Sequence, residues 1–234
     1  MNLLEVSNLR VRYGSFEAVK GVSFTLARGE IVGIVGESGS GKSTIARVLT
    51  GLEKPFAGDI TFSGGEGSSR PSLQMIFQDA VGSLNPRMTV QQTLAEVLRS
   101  VRSSKKPRDL LGLVGLSEAV LDQYPREMSG GQCQRVSVAR ALACNPDILI
   151  ADEPVSALDV SVQARILNLL RDLRRELGLS ILLVAHDLAV VKNVCDRVYV
   201  MERGLFVDSG ETQSVFDSPT SDYTRKLLSA VPSV

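Results

Sequence analysis

The sequence predicts an α/β fold: a parallel sheet flanked by helices, with an antiparallel β subdomain at the N-terminus and an inserted α-helical subdomain. Three observations predict it. Short apolar runs rich in β-branched residues recur along the chain, as expected of strands that are buried on both faces. Stretches with helical periodicity separate several of these runs, which favours parallel strands joined by helices. Residues 80–145 lack such runs and are predicted to be mostly helical.

Alternating apolar residues characterise the N-terminal stretch. Residues 4–13 alternate with a period of two, and residues 22–26 repeat the pattern. Gly14 and Gly29 interrupt it at the expected turns. This period is typical of antiparallel strands that bury one face and expose the other. We therefore expect a small antiparallel sheet before the parallel one.

Five near-continuous apolar runs are predicted as buried strands of the parallel sheet. They lie at Ile31–Val35 and at residues 73–77, 148–151, 181–185 and 198–201. Between the third and fourth runs, leucine and isoleucine recur at helical spacing over residues 166–177, with charged side chains on the opposite face. Gly178 follows as the predicted C-cap. This segment is therefore expected to be a helix that connects two neighbouring strands.

Composition excludes several classes of protein. The 234 residues include 26 Lys and Arg against 26 Asp and Glu, which argues against a general nucleic-acid binder. No apolar run approaches the roughly 20 residues needed to cross a bilayer, and the start shows no signal-peptide pattern. Three cysteines without a CxxC pair predict free thiols in the cytosol. The Gly/Ser-rich residues 62–72 are predicted to form a flexible surface connection.

Residues 36–44 match the pattern G-x-x-x-x-G-K-[ST], between a predicted buried strand and a helical pattern at residues 44–52. Glycines let the backbone wrap around a phosphate, and the N–H groups at a helix start attract its negative charge. Lys42 can reach the β- and γ-phosphates, and Ser43 carries the hydroxyl that this motif places on Mg²⁺. The predicted nucleotide-binding residues here are Gly36, Glu37, Ser38, Gly39, Ser40, Gly41, Lys42, Ser43 and Thr44.

Two carboxylates, Asp152 and Glu153, follow the strand predicted at residues 148–151. In open α/β sheets, ligands bind at the carboxyl ends of the strands. Mg²⁺ prefers oxygen ligands, so Asp152 is predicted to hold the metal or one of its water molecules. Glu153 is expected to point in another direction and to be free to orient an attacking water.

The motif at Ser129, Gly130, Gly131 and Gln132 resembles the signature sequence of the ATP-binding subunits of ATP-binding cassette (ABC) transporters. Its S-x-x-Q spacing also fits a capping box that would merely start a helix. Two glycines in a first helical turn are unfavourable for that purpose alone, whereas a helix start that approaches phosphate requires them. The resemblance implies that this segment binds the γ-phosphate of ATP held by a partner, so that two chains arranged head to tail share two sites.

Four other residues stand where this family has functional side chains. Gln78 is similar to the glutamine of its Q-loop, and His186, the only histidine, follows an apolar run as the family's switch histidine does. Tyr13 is placed like the aromatic residue that stacks on adenine. Asp159 ends residues 156–159, which resemble the D-loop at the dimer seam. These motifs occur in the family's order.

The resemblance implies a P-loop NTPase core of the RecA-like type, with ATP and Mg²⁺ as cofactors and ATP hydrolysis coupled to transport. The expected catalytic residues are Lys42, Gln78, Glu153 and His186, and the expected metal-binding residues are Ser43, Gln78 and Asp152. The implied partners are a second ATP-binding subunit, in a homodimer or heterodimer, two transmembrane permease subunits and, indirectly, an external substrate-binding protein. The implied location is the cytoplasmic face of the cell membrane, and no nucleic acid is expected.

The expected organisation is a single nucleotide-binding domain over residues 1–234. Its α/β core, with the antiparallel subdomain, would comprise residues 1–79 and 141–210. The helical subdomain with the signature motif would comprise residues 80–140, and a tail would comprise residues 211–234.

Residues 83–90 and 222–228 resemble the branch of this family that imports peptides and nickel, where metal chelates also occur as cargo. Three alternatives stay open. The first is a soluble ABC ATPase that is not coupled to transport. The second is a P-loop kinase of small molecules, which would leave residues 129–132 unexplained. The third is a structural scaffold that binds ATP without turnover.

Overall fold

The structure is a computed structural model that describes residues 1–64, 71–156 and 158–229. The middle of the predicted surface connection at residues 62–72 lies outside the described residues. So do Ala157 of the D-loop-like motif and residues 230–234 of the predicted tail.

Nine strands within these ranges form two sheets. In chain order they are β1 (Asn2–Tyr13), β2 (Phe16–Ala27), β3 (Ile31–Val35), β4 (Ala57–Phe62), β5 (Leu73–Ile76), β6 (Ile148–Asp152), β7 (Ser180–Ala185), β8 (Arg197–Glu202) and β9 (Leu205–Glu211). The smaller sheet is antiparallel with the order β2-β1-β4. The larger sheet has the order β5-β6-β7-β3-β8-β9, and its first five strands are parallel. The predicted α/β class and the antiparallel N-terminal sheet are confirmed.

Eight α-helices connect and cover the sheets in the described part of the chain. They are α1 (Lys42–Leu49), α2 (Val90–Ser100), α3 (Pro107–Leu113), α4 (Gly130–Leu142), α5 (Val160–Leu177), α6 (Leu188–Lys192), α7 (Thr212–Asp217) and α8 (Asp222–Ser229). Helices α2, α3 and α4 lie between β5 and β6, as the apolar pattern of this stretch predicts. None of the helices in the described ranges is both long enough and apolar enough to cross a bilayer.

The central sheet separates two hydrophobic cores because successive residues of a strand point to opposite faces. Ile31 and Val35 of β3 pack into the core that contains the side chains of α4 and α5. Val32 and Ile34 pack into the core beneath the antiparallel sheet and α1. All residues of β3, β6 and β7 are buried, which explains why their sequences show no alternation.

Most strands and helices lie where the sequence predicts them, but some of their ends differ by a few residues. The helix after the phosphate loop, α1, is expected at residues 44–52 but begins at Lys42 and ends at Leu49. The first strand after the surface connection ends at Ile76, so Phe77 lies outside it and is 41% exposed. Helix α5 ends at Leu177, and Gly178 follows as the predicted C-cap with a left-handed φ of 65°. Strands β4 and β9 have no predicted counterpart, because their partly exposed residues carry no clear apolar period.

Free cysteines, as predicted, occur at Cys133, Cys144 and Cys195. Cys133 and Cys195 are buried, and burial raises the pKa of both thiols. Helix α4 ends before Cys144, so the first two cysteines do not share a helix. The thiols of Cys133 and Cys195 therefore act as small apolar side chains of the core.

We expect Leu183→Ala to lower the free energy of unfolding by about 2–5 kcal/mol, because it leaves a cavity beside the central strands. Leu183 is fully buried in β7. Leu177→Ala is the matched control: this leucine is 48% exposed at the end of α5, and its loss should cost about 1 kcal/mol or less. Urea unfolding followed by circular dichroism measures both. Equal losses would contradict the described core.

Candidate nucleotide site

The phosphate loop between β3 and α1 is pressed against neighbouring backbone, and two of its glycines are required for that reason. A Cβ on Gly36 would lie 2.1 Å from the carbonyl oxygen of Met201. A Cβ on Gly41 would lie 2.6 Å from the carbonyl oxygen of Ala18, and Gly41 has a left-handed φ of 113°. Residues with side chains could not occupy either position without moving β8 or β2.

The first turn of α1 carries backbone N–H groups that no carbonyl of the helix accepts. The first-turn N–H groups, at residues 42–44, have no acceptor within their own helix, and the N-cap residue Gly41 has no side chain to cap them. The loop itself is held in place from behind, where the N–H of Gly204 donates to the carbonyl of Ser40 at 2.9 Å. A loop that is held in this way beside an uncapped helix start fits an anionic phosphate group.

Lys42 lies inside the loop and is only 3% exposed. Its Nζ donates to the carbonyls of Gly36 at 2.8 Å and Glu37 at 2.9 Å. Burial lowers the pKa of this ammonium group, and the charges of Glu153 and Asp152 oppose that effect. The lysine is therefore a fixed positive charge at the centre of the loop, where phosphate oxygens would lie.

Ser43 and Asp152 form the pair that could hold a metal ion. The Ser43 hydroxyl donates to Oδ1 of Asp152 at 2.9 Å. Burial raises the pKa of Asp152, and the Ser43 hydrogen bond opposes the rise. Within the described ranges, no group of three or more His, Cys, Asp and Glu side chains is arranged to hold a metal. The oxygen donors present suit Mg²⁺ that takes its other ligands from phosphate and water.

Three predicted site residues converge on the carboxylate of Glu153. Its carboxylate accepts a hydrogen bond from Nε2 of Gln78 at 3.0 Å. The same carboxylate lies 3.9 Å from Nζ of Lys42 and 3.8 Å from Nδ1 of His186. Glu153 has a left-handed φ of 46°, and the sequence predicts that it is free to orient an attacking water. It is not free, however, since Gln78 holds one of its oxygens.

A cleft of about 300 Å³ opens above the loop and is lined by two aromatic rings as well as polar residues. Its lining residues are Tyr13, Phe16, Ala18, Ser38, Gly39, Gly41, Lys42, Ser43, Thr44, Gln78 and Glu153. Phe16, which is 62% exposed, is not among the site residues predicted from the sequence. The β1–β2 turn at Gly14 could have indicated it, because a tight hairpin brings Tyr13 and Phe16 side by side.

The signature-like segment forms the N-terminus of α4. Ser129 Oγ accepts from the N–H of Gln132 at 3.3 Å, and Gln132 Oε1 accepts from the N–H of Ser129 at 2.8 Å. The capping box is therefore present. Gly131 also has a packing role, because a Cβ there would lie 2.5 Å from Cγ1 of Val162. Ser129 and Gly130 are exposed, so this helix start remains accessible.

Asp159 caps α5. Its Oδ1 accepts hydrogen bonds from the hydroxyl of Ser161 at 2.8 Å and from the N–H of Val162 at 2.9 Å. The Ser161 bond, followed by the Val162 bond, lowers the pKa of Asp159. Neither Asp159 nor the signature-like segment lines the cleft of this chain. The structure thus brings the predicted loop, metal and Glu153 residues together and leaves these two motifs on other surfaces.

Fold and cleft together define the class of protein. A phosphate loop follows the central strand of a parallel sheet. The strand two positions away, β6, ends in a buried aspartate and is followed by a glutamate. This arrangement is that of a phosphate-loop nucleotide hydrolase. The predicted P-loop core is therefore confirmed.

Similarity to known proteins identifies the family within this class. The family described as ABC transporter matches residues 19–156. The oligopeptide transport ATP-binding protein OppF of Lactococcus lactis subsp. lactis (strain IL1403) is 45% identical over 232 residues, covering 93% of this chain and 73% of that protein. The solved structure of cbiO1 from Clostridium perfringens, part of the ABC transporter complex cbiONQ, has a TM-score of 0.79 at 30% identity, covering 99% of this chain and 96% of that chain.

The cassette MJ0796, solved as a dimer in a post-hydrolysis state bound to ADP and Pi, has a TM-score of 0.75 at 28% identity. The match covers 89% of this chain and 98% of that chain. The chain described here belongs to the ABC transporter family, whose ATP-binding subunits hydrolyse ATP to power transport.

We expect Gly36→Ala to destabilise the protein more than Gly39→Ala does. The first change forces a Cβ into the Met201 carbonyl and should cost about 3 kcal/mol. The second meets nothing within 4 Å and adds only the strain of a φ of 78°, about 1–2 kcal/mol. Urea unfolding without nucleotide compares the two. The reverse order would contradict the described packing of the loop.

Proposed function

We propose that this chain binds ATP with Mg²⁺ in the cleft above the phosphate loop and hydrolyses it there. The observation that carries the proposal is the convergence of Gln78, Lys42 and His186 on the carboxylate of Glu153. A carboxylate at the edge of a phosphate site, held in one orientation, suits the polarisation of an attacking water. Lys42 and the N–H groups of α1 would stabilise the charge of the transferred phosphoryl group.

The adenine ring would stack on Tyr13, with Phe16 beside it in the same wall of the cleft. Mg²⁺ would take the Ser43 hydroxyl as a ligand and would meet Asp152 directly or through water. Gln78 could complete the site with a neutral amide oxygen. Bound Mg²⁺ neutralises negative charge on the β- and γ-phosphates. His186, half exposed at the end of β7, would hydrogen-bond the γ-phosphate.

A second ATP-binding subunit is needed to complete each site. The signature-like segment and Asp159 are exposed and lie outside the cleft of their own chain. An exposed helix start with glycines at its first two positions could approach the γ-phosphate held by another chain. The dimer of the related cassette MJ0796 supports this arrangement. We therefore propose two composite sites in a head-to-tail dimer, with Asp159 at the seam.

The cargo proposed is an oligopeptide, with nickel and metal chelates as the other candidates. The support is the 45% identity to a protein named for oligopeptide transport. Two permease subunits would dock on the helical subdomain, residues 80–140, and an external substrate-binding protein would deliver the cargo. The remaining residues would form the α/β core and the tail as expected. This assembly implies that the chain lies at the cytoplasmic face of the membrane.

Glu153→Gln tests the catalytic proposal. We expect the variant to retain ATP binding and to lose ATP hydrolysis by about a hundredfold or more, because an amide cannot act as a general base. Nucleotide titration and phosphate release measure the two properties. Glu5→Gln, on the exposed face of β1, is the matched control and should behave as wild type. Turnover at the wild-type rate in Glu153→Gln would contradict the assignment.

The same assay separates the alternatives. A kinase would need an added acceptor and would release little free phosphate without one, whereas a scaffold would bind ATP without turnover.

Reconstitution with the permease subunits and the binding protein in vesicles tests the cargo. We expect an oligopeptide to stimulate ATP hydrolysis more than Ni²⁺ or a metal chelate does. Stimulation by the metal alone would reassign the cargo, and a rate that no permease changes would favour the uncoupled ATPase.

A further inference from the structure

A tyrosine near the C-terminal end of the described chain contacts the phosphate loop. Tyr223 lies in the first turn of α8, and its hydroxyl oxygen accepts a hydrogen bond from the N–H of Glu37 at 3.0 Å. The two residues are 186 positions apart in the sequence. Residues 222–228 resemble those of one family branch, and this contact gives one of them, Tyr223, a physical role.

The hydrogen bond to Tyr223 orients a peptide unit whose carbonyl also accepts from Lys42. The peptide between Gly36 and Glu37 gives its N–H to Tyr223 and receives a hydrogen bond on its carbonyl from Lys42 Nζ at 2.8 Å. The next carbonyl, that of Glu37, accepts from Lys42 Nζ at 2.9 Å and from the N–H of Ser40 at 3.2 Å. Because a peptide unit is planar, fixing its N–H also fixes the direction of its carbonyl. Tyr223 therefore helps to set where the lysine ammonium group lies.

Helix α8 is firmly attached, so Tyr223 is not on a loose tail. Asp208 of β9 is 8% exposed, and its Oδ2 accepts from the N–H groups of Thr220 at 2.9 Å and Ser221 at 3.2 Å. Although burial opposes it, these bonds lower the pKa of Asp208, which keeps the anchor charged at neutral pH. Side chains of α8, among them Tyr223 and Leu227, pack against the core that contains the side chains of α4 and α5.

The hydroxyl of Tyr223 stays protonated beside the phosphate site. Burial, together with the carboxylates of Glu37 and Glu202, raises the pKa of Tyr223, although the Glu37 N–H bond opposes the rise. A phenolate here would repel the phosphates, whereas the neutral hydroxyl holds the loop without adding negative charge.

We propose that Tyr223 is a positioning residue for nucleotide binding: it preorganises the first peptide of the phosphate loop and, through it, Lys42. This inference rests on the proposed function, since it concerns the same nucleotide site. The hydroxyl bonds to the Glu37 N–H and not to Glu153 or Gln78, and Lys42 keeps its own hydrogen bonds to the loop carbonyls without it. The loss of the hydroxyl is therefore expected to weaken binding rather than the attack of water.

Tyr223→Phe in the full chain tests the proposal, because it removes one oxygen and leaves the packed ring. We expect the Kd for ATP to rise about three- to tenfold, the range that corresponds to one hydrogen bond. The KM for ATP should rise by a similar factor while kcat stays within about twofold. Tyr124→Phe, in the helical subdomain, is the matched control and should leave the Kd and the KM for ATP unchanged.

Hydrogen exchange gives a readout that does not depend on nucleotide. In Tyr223→Phe, the amide of Glu37 should exchange faster than in wild type, while the amides of β3 and the urea midpoint stay the same. Unchanged exchange at Glu37, or a Kd equal to that of wild type, would overturn the proposal. A fall in kcat with an unchanged KM would also overturn it. If the wild-type chain did not bind ATP, the proposed function would fail, and the exchange of the Glu37 amide would still decide the role of Tyr223.

Discussion

The approach of two backbones, at Gly36 and Met201, is the constraint on which the rest of the nucleotide site depends. A hypothetical Cβ at Gly36 would lie 2.1 Å from the Met201 carbonyl oxygen, so the loop follows β8 without any side chain between them. This contact fixes where the loop leaves β3 and where α1 begins. The helix start, Lys42 and Ser43 are positioned by that exit. The cleft is consequently a product of sheet packing as much as of the motif itself.

Charges of opposite sign compensate one another at the bottom of the cleft. Lys42 and Asp152 are both buried, and burial alone would favour the neutral form of each. Their proximity, with Glu153 nearby, opposes this effect for the lysine. Since a buried charge without a partner is costly, the three groups constrain one another's positions. A phosphate and its metal ion would enter a site where both signs of charge are already present.

Most of the sheet and the phosphate loop could be predicted from the sequence, because their signals are local. A strand buried on both faces has a continuous apolar run, and the loop needs its glycines and lysine at fixed spacing. The contact of Tyr223 with Glu37 could not be predicted, because it joins residues 186 positions apart and has no spacing rule. The Gly131 contact with Val162 likewise depends on how two helices cross. Local chemistry predicts elements, whereas packing decides which of them meet.

The capping box leaves the Ser129 hydroxyl able to serve two purposes. Its oxygen accepts the N–H of Gln132, which leaves the hydroxyl hydrogen able to point away from the helix. A serine can thus complete its own helix while it donates to an anion outside it. An aspartate at the same position would cap the helix equally well but would present only acceptors and a negative charge. Good helix capping alone therefore does not make a residue suitable at this helix start.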